Sequence, residues 1–505
     1  MAFVDDAYYD GSRLFAWLSI ATGIPIDQIN FAATQIVALS LAPLFRGYLH
    51  HSKTTPATRH AFGLVAGLLI GCFAFGRQVL LLAGLPSICY PIMRTQDPHN
   101  MQQTVLTVSI IYLSCIHLHR QVYDYGSSTL DVTGPLMVIT QKVTSLAFSL
   151  HDGLTRKEEE MTTYQKYHAV RNFPTALEYF SYVFHFHTLM AGPALFYKDY
   201  IDFIHGHNFK LHPVNPNNQF DSNFNSRKVV LEPSSTLVAV KKIIISVLCA
   251  ALFVTLIPTF PIQRAKDDDF VEGKTASEQM VYLFVATILV RLKFYHAWVL
   301  ADAICNLSGI GFNGYDAKGT PKWDLVSNVD ILKFEFGLTL RDSIEHWNKG
   351  TNVWLRMIVY ERVPSKYATF LTYSLSAFWH GFYPGYYLTF ASGALFTYAA
   401  RAVRRCIRHY FQEPPVVKAF YDFVTMVATR VVMTYITFSF VLLEFWPSVR
   451  LYLSTYCWLH LVALSATLVL PQFSSRGHSS TRKSTPLKNP FSQLSSNGVT
   501  SGING

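Results

Sequence analysis

The sequence predicts an all-α, polytopic membrane protein of about eleven transmembrane helices, with re-entrant or interfacial helices between them. Three observations predict it. Charged residues are 15% of the 505 positions, against about 25% in a soluble globular chain. Apolar windows of the ~20 residues that a hydrocarbon layer about 30 Å thick demands follow one another along the chain. The basic excess, 42 Lys and Arg against 32 Asp and Glu, gathers at the edges of those windows, which reads as membrane sidedness and argues against a nucleic-acid stripe.

In order, the windows lie near residues 31–49, 61–85, 101–118, 132–150, 175–197, 243–262, 280–304, 367–380, 385–400, 423–443 and 451–470. Several hold one charge, such as Arg77, Lys142, Asp302 or Arg430, and each reads first as a packed contact or an interface snorkeller. The N-terminal MAFVDDAYYDGSRLFAW has acids where a secretory leader has a basic region, so targeting is expected from a later span. LHPVNPNNQFDSNFNSRK, within 205–240, is expected to be an extramembrane loop. Residues 305–366 mix glycine turns with short amphipathic pieces at 330–340 and 344–360, which predicts helices lying at the interface or re-entering it.

Residues 1–470 are expected to form one membrane domain and 471–505 a disordered basic cytosolic tail, rich in Ser, Asn and Gly and free of acids. Two windows separate that tail from the cluster Arg401, Arg404, Arg405 and Arg408. An even number of crossings puts both on one face, and their charge makes that face cytosolic. The seven cysteines are scattered without close pairs, so neither a disulfide framework nor a zinc site is predicted. His117 and His119, like His185 and His187, are two apart, which on a helix sends them to different faces and makes poor chelation. No metal is expected.

The longest uncharged run, Tyr367 to Ala400, is thirty-four residues long and contains His380. As one helix it would extend about 51 Å, well beyond one hydrocarbon thickness, so it must break, tilt or protrude. Gly381, Pro384 and Gly385 mark the break, and an interior proline would strip a partner from the His380 carbonyl. Irregular backbone at membrane depth is tolerated where it is buried in protein or lines a cavity, and intramembrane ionisable residues tend to be functional. A second constellation, HWNKGTNVWLRMIVYER at 346–362, sets Asn348 and Asn352 at helical spacing beside Trp347 and Trp354. An amide can donate to a developing oxyanion.

Together the two segments resemble the membrane-bound O-acyltransferase superfamily, in which a Trp-Asn pair followed by Thr and Trp precedes a WHGFYPGYY-like stretch. The family's signature Asn and downstream intramembrane His fall on Asn348 and His380. The resemblance extends over roughly 25–470. It takes in DYGSSTLDVTGPLMVITQKVTSLAFSLHDG (124–153), LEYFSYVFHFHTLMAGPALFYKDYIDFI (177–204), AWVLADAICNLSGIGFNGYD (297–316), WDLVSN (323–328) and ARAVRRCIRHYFQEP (400–414). These look like the lysophospholipid acyltransferase branch, and most like members acting on lysophosphatidylethanolamine, lysophosphatidylserine and lysophosphatidylcholine. HFH at 185–187 is a departure, standing where Asn and Met are expected.

The resemblance implies a membrane-bound O-acyltransferase fold in the endoplasmic reticulum membrane. It also implies transfer of a fatty acyl chain from acyl-CoA to the free hydroxyl of a lysophospholipid, with no cofactor beyond that co-substrate. An imidazole titrates near neutrality and suits deprotonation of a glycerol hydroxyl, which makes His380 the expected general base. Asn348 is expected to position the hydroxyl or the acyl carbonyl, or to donate to the oxyanion. A thioester is already activated, so direct transfer is expected without a nucleophilic Ser or Cys. Both substrates carry long chains, which one apolar tunnel meeting at His380 would bring into register. Trp347, Trp354, Trp379 and Tyr386 are candidate wall residues, Asn352 a further substrate-binding candidate, and Arg356, Arg401, Arg404 and Arg405 candidate partners of the coenzyme A phosphates. The alternatives are an acyltransferase acting on a sterol, a diacylglycerol or a protein, and a transporter. A transporter would predict internal repeats, which the two halves do not show.

Overall fold

A computed structural model describes residues 9–127, 129–210 and 232–474. Among them there is no β-strand, and the one β-bridge joins Tyr315 to Pro321. The principal helices are α1 (Ile26–Tyr48), α2 (Pro56–Phe75), α3 (Val79–Thr95), α4 (Met101–Tyr123), α5 (Thr133–Thr155), α6 (Ala176–Phe184), α7 (Tyr197–His205), α8 (Thr236–Leu256), α9 (Ala276–Ser308), α10 (Lys349–Leu355), α11 (Ser365–His380), α12 (Pro384–Cys406), α13 (Pro415–Leu442), α14 (Phe445–Ser454) and α15 (Trp458–Ser474). Shorter helical pieces lie between them.

Local chemistry sets several of the boundaries. Thr175 with Glu178, and Thr275 with Glu278, form capping boxes that start α6 and α9, each satisfying backbone N–H groups that the first turn leaves without partners. Gly309 closes α9 in a left-handed conformation, and Pro56 opens α2 behind the Thr55 cap.

Six runs are long and apolar enough to span a bilayer, namely α1, the bent α2–α3 run Pro56–Thr95, α4, α8, α9 and α13; the α14–α15 pair, bent by 79°, makes a seventh. The remaining predicted windows differ for identifiable reasons. Window 175–197 is not one helix, because α6 stops at Phe184 and irregular backbone follows. Windows 367–380 and 385–400 are the two arms of a hairpin, α11 and α12, with the first arm 16 residues long. Window 132–150 is helical, as α5, but too polar to stand in lipid. Every residue of α5 from Ile139 to Leu150 is buried, so this helix faces protein on all sides and serves as the central post of the fold.

The isolated charges are all partnered, three of them in packed contacts and Arg77 at the surface. The Lys142 ammonium, fully buried on α5, donates to the carbonyls of Tyr182 and Val183, both at 3.1 Å, and to Thr188 Oγ1 at 2.6 Å. A cation thereby caps the C-terminal carbonyls of α6. Asp302 pairs with Lys242 at 2.6 Å, Arg430 lies 3.5 Å from Glu335, and exposed Arg77 meets Asp10 at 3.2 Å.

Cys406, at the end of α12, lies 3.5 Å from the Leu470 carbonyl near the end of α15. The arginine cluster and the start of the basic tail therefore share one end of the bundle. Most of the predicted tail (475–505) and most of the predicted polar loop (211–231) fall outside the described residues.

One expectation about the histidines is overturned. Because α6 has ended at Phe184, His185 and His187 are not on a helix; their rings stack with centroids 4.5 Å apart and their Nδ1 atoms are 2.7 Å apart, sharing one hydrogen bond in the interior. Among the described residues, the group that brings three potential metal ligands together is His50, His51 and Glu232. Arg46 occupies the second Glu232 oxygen at 3.2 Å, which makes the group an Arg/His–Glu ion-pair cluster.

Candidate active site

His380 is the last residue of α11, and Gly381 ends that helix at φ +114°, a conformation that L side chains avoid. The break therefore belongs to Gly381. Pro384 stands at the start of α12, where its missing N–H costs nothing, instead of kinking a continuous helix as the sequence suggested. The carbonyl exposed by the break is that of Trp379, and His117 of α4 satisfies it through Nε2 at 3.2 Å. Gly385 lets α12 approach α13 closely: its N–H donates to the Leu443 carbonyl at 2.8 Å, and a Cβ there would meet the Ser439 carbonyl oxygen at 2.1 Å. The 124–127 turn covers the apex, with Gly126 N–H donating to Tyr383 Oη at 2.9 Å.

The tautomer of His380 follows from its partner. Nδ1 lies 2.7 Å from the Ser376 carbonyl, which can only accept, so Nδ1 carries the proton in the neutral ring and Nε2 carries the lone pair. Nε2 has no hydrogen-bond partner among the described residues. Aromatic rings enclose the imidazole, with centroids at 4.6 Å (Trp379), 4.9 Å (Phe390), 5.2 Å (Phe440) and 5.9 Å (Tyr386).

Asn348 caps α10 with left-handed backbone angles, φ 47° and ψ 54°, a region that Asn tolerates better than most residues. Its Oδ1 accepts from Asn328 Nδ2 at 3.2 Å and from Thr351 Oγ1 at 2.8 Å, while its Nδ2 has no acceptor among the described residues. The helices that carry Asn348 and His380 meet where Trp354 packs on Trp379, centroids 5.8 Å apart. No hydrogen bond joins the two side chains.

The other sequence candidates divide. Tyr386 stands beside the imidazole. Trp354 is 0% exposed and donates to Thr144 Oγ1 at 2.9 Å, and buried Trp379 donates to the Met137 carbonyl at 3.0 Å; both pack the frame behind the site. Trp347 sits in an aromatic cluster with Trp298 and Phe334, each at 5.0 Å. Asn352 spends its amide on the carbonyls of Ile344 and Trp347, both at 2.7 Å, capping the short helix before the site. Arg356 pairs with Glu361 at 2.9 Å. Arg401 donates to Thr369 at 3.0 Å and stands about 25 Å of helix from Pro384, with exposed Arg404 and Arg405 farther still. The structure thus gathers the arginines of α12 at one end of the bundle, away from His380.

A cleft of about 740 Å³ runs along α11 past Leu371, Leu375 and Phe378, with Arg156, Glu361 and Arg362 also lining it. Both arginines share the single carboxylate of buried Asp152, at 3.1 and 2.5 Å, which leaves the pair one positive charge in excess.

His117 lies outside the sequence candidates, and Thr351 and Asn328 enter them only as members of the Trp-Asn…Thr…Trp pattern and of WDLVSN. A histidine on an otherwise ordinary helix has no local signal for its role, since its partner Trp379 lies 262 residues away.

The model of the membrane-bound O-acyltransferase family matches residues 118–438. The chain is 53% identical over 471 residues to lysophospholipid acyltransferase 6 of Drosophila melanogaster, covering 93% of this chain and 65% of that protein, so it spans just under two thirds of the fly protein's length. It is 40% identical over 462 residues to membrane-bound glycerophospholipid O-acyltransferase 2 of Gallus gallus, covering 91% of this chain and 88% of the other. A lysophospholipid acyltransferase of Schizosaccharomyces pombe is 32% identical over 468 residues, covering 90% and 88%.

Proposed function

We propose, from the premise that this chain belongs to the membrane-bound O-acyltransferase family, that it is a multi-pass membrane enzyme transferring a fatty acyl chain from acyl-CoA to the free hydroxyl of a lysophospholipid. The observation that carries the catalytic assignment is the commitment of His380 Nδ1 to the Ser376 carbonyl, which leaves Nε2 as the basic nitrogen. Nε2 takes the proton as the lysolipid hydroxyl oxygen attacks the thioester carbonyl. The Nδ2 group of Asn348 donates to the oxyanion of the tetrahedral intermediate. Collapse expels the coenzyme A thiolate, which recovers the proton from His380, and the product is a diacyl phospholipid.

The acyl donor is acyl-CoA and no further cofactor takes part. The cleft beside α11 suits a long chain with an anionic head, since it is apolar along the helix and its charged lining is Arg156 and Arg362 against Glu361, which Arg356 pairs. The endoplasmic reticulum membrane is the proposed location, with lysolipid arriving from the bilayer and acyl-CoA from the face that bears Arg404 and Arg405. The test is coenzyme A release by the purified protein with oleoyl-CoA, crossed against lysophosphatidylethanolamine, lysophosphatidylserine, lysophosphatidylcholine, a sterol and diacylglycerol. Turnover with at least one lysophospholipid is expected. Turnover confined to the sterol or diacylglycerol would overturn the acceptor assignment, and none with any acceptor would overturn the activity.

A further inference from the structure

Resting on that reading of Asn348, we infer that Asn328 and Thr351 are positioning residues of the acyl transfer, holding the Asn348 amide so that its NH2 group faces the reacting carbonyl. An amide can present either its oxygen or its nitrogen, and only the nitrogen helps an oxyanion. Here the choice is forced. The backbone N–H of Gly350 can only donate, and it lies 3.0 Å from Asn328 Oδ1. The other terminal atom of Asn328 is therefore nitrogen, and the Asn348 atom 3.2 Å from it is oxygen. Thr351 Oγ1 receives Gln141 Nε2 at 2.7 Å and gives its single proton to the same Asn348 oxygen at 2.8 Å. Two donors converge on Oδ1, and the Asn348 amino group is left pointing away from both.

The backbone reinforces the arrangement. Lys349 N–H donates to the Asn328 carbonyl at 2.8 Å and Asp330 N–H to the His346 carbonyl at 3.1 Å, so the segment ending in Asn328 lies alongside the turn that carries Asn348. That segment is tied in turn to α8 and α9. Ser327 Oγ donates to Asp302 at 2.5 Å, and Lys242 bridges Asp302 at 2.6 Å and the Trp323 carbonyl at 2.9 Å. Asn328 and Thr351 are 7% and 6% exposed, so water does not compete for their donors.

The experiment compares Asn328→Asp, Thr351→Val, Thr351→Ser and Asn348→Gly in purified protein, measuring kcat, KM for both substrates and the unfolding temperature. Aspartate still accepts the Gly350 N–H but has no proton for Asn348, whose amide turns over to donate to it. Valine keeps the shape of threonine without the hydroxyl, and serine restores the hydroxyl. We expect Asn328→Asp and Thr351→Val to lower kcat about tenfold or more with KM held within about twofold, and Thr351→Ser to stay within about twofold of wild type. In the Asn348→Gly background, adding Thr351→Val lowers the rate no further. Folded Asn328→Asp and Thr351→Val enzymes at wild-type kcat, beside a slow Asn348→Gly, would refute the positioning role and leave Asn348 in the chemistry. Equal losses in Thr351→Val and Thr351→Ser would refute the role of the hydroxyl. An Asn348→Gly enzyme at wild-type kcat would remove Asn348 from the reaction and the positioning role with it.

Discussion

Replacing Asn348 with glycine removes the amide while leaving the backbone where it is. At φ 47° and ψ 54° a glycine is unstrained, whereas alanine at the same position costs about 1 kcal/mol. Glycine leaves the buried Asn328 and Thr351 donors without their acceptor, about 1 to 3 kcal/mol each, so the fold loses about 2 to 6 kcal/mol. The kinetic effect is separate and is read on the folded fraction. If Nδ2 donates to the oxyanion, its loss costs about 3 to 4 kcal/mol of barrier, a drop in kcat of about 10² to 10³. The assay is initial-rate release of coenzyme A thiol in detergent micelles, with the unfolding midpoint followed by tryptophan fluorescence. Asn348→Gly and Asn348→Ala are expected to share one depressed kcat, with alanine the less stable of the two. A folded glycine variant within threefold of wild-type kcat would refute the oxyanion role.

His117→Phe keeps a ring on α4 but removes the donor to the Trp379 carbonyl, which loosens the turn that aims His380; kcat is expected to fall several-fold with KM little changed, read in the same thiol assay. Gly385→Ala would place a methyl 2.1 Å from the Ser439 carbonyl oxygen, a backbone atom that cannot yield without moving α13. A loss of about 1 to 3 kcal/mol is expected from such overpacking, seen as a lower unfolding midpoint together with reduced turnover.

The fold class was legible because bilayer thickness dictates a run length that composition alone reveals. The apolar windows of α1, α4, α8, α9 and α13 became helices long and apolar enough to cross. Windows such as 175–197 misled because apolarity does not distinguish a lipid-facing helix from backbone buried inside a protein. Phe184 ends α6, and the irregular chain beyond it is tolerated because other helices surround it. Of the candidate site, His380 stood out for a physical reason, an ionisable side chain in an uncharged run, and the hairpin break beside it was placed within a residue or two. Its geometry was not legible: Gly381 ends the helix and His117 takes up the freed carbonyl, a contact across the fold that no local pattern encodes. Trp354 and Trp379 resemble wall residues in sequence, yet both are buried with their indole N–H groups bonded inward, because large aromatic side chains fill a core as readily as they line a cavity. Thr351 and Asn328 stand in segments that carry the family resemblance, but their role was not legible because it lies in which atom of Asn348 they hold.

The most direct test of the central claim is coenzyme A release from oleoyl-CoA plus lysophospholipid by purified wild type and His380→Ala, with both proteins shown to be folded by the same unfolding curve. Loss of a positioned general base predicts a fall in kcat of about 10² to 10⁴ with the fold retained. A folded His380→Ala enzyme that turns over at close to the wild-type rate would contradict the account.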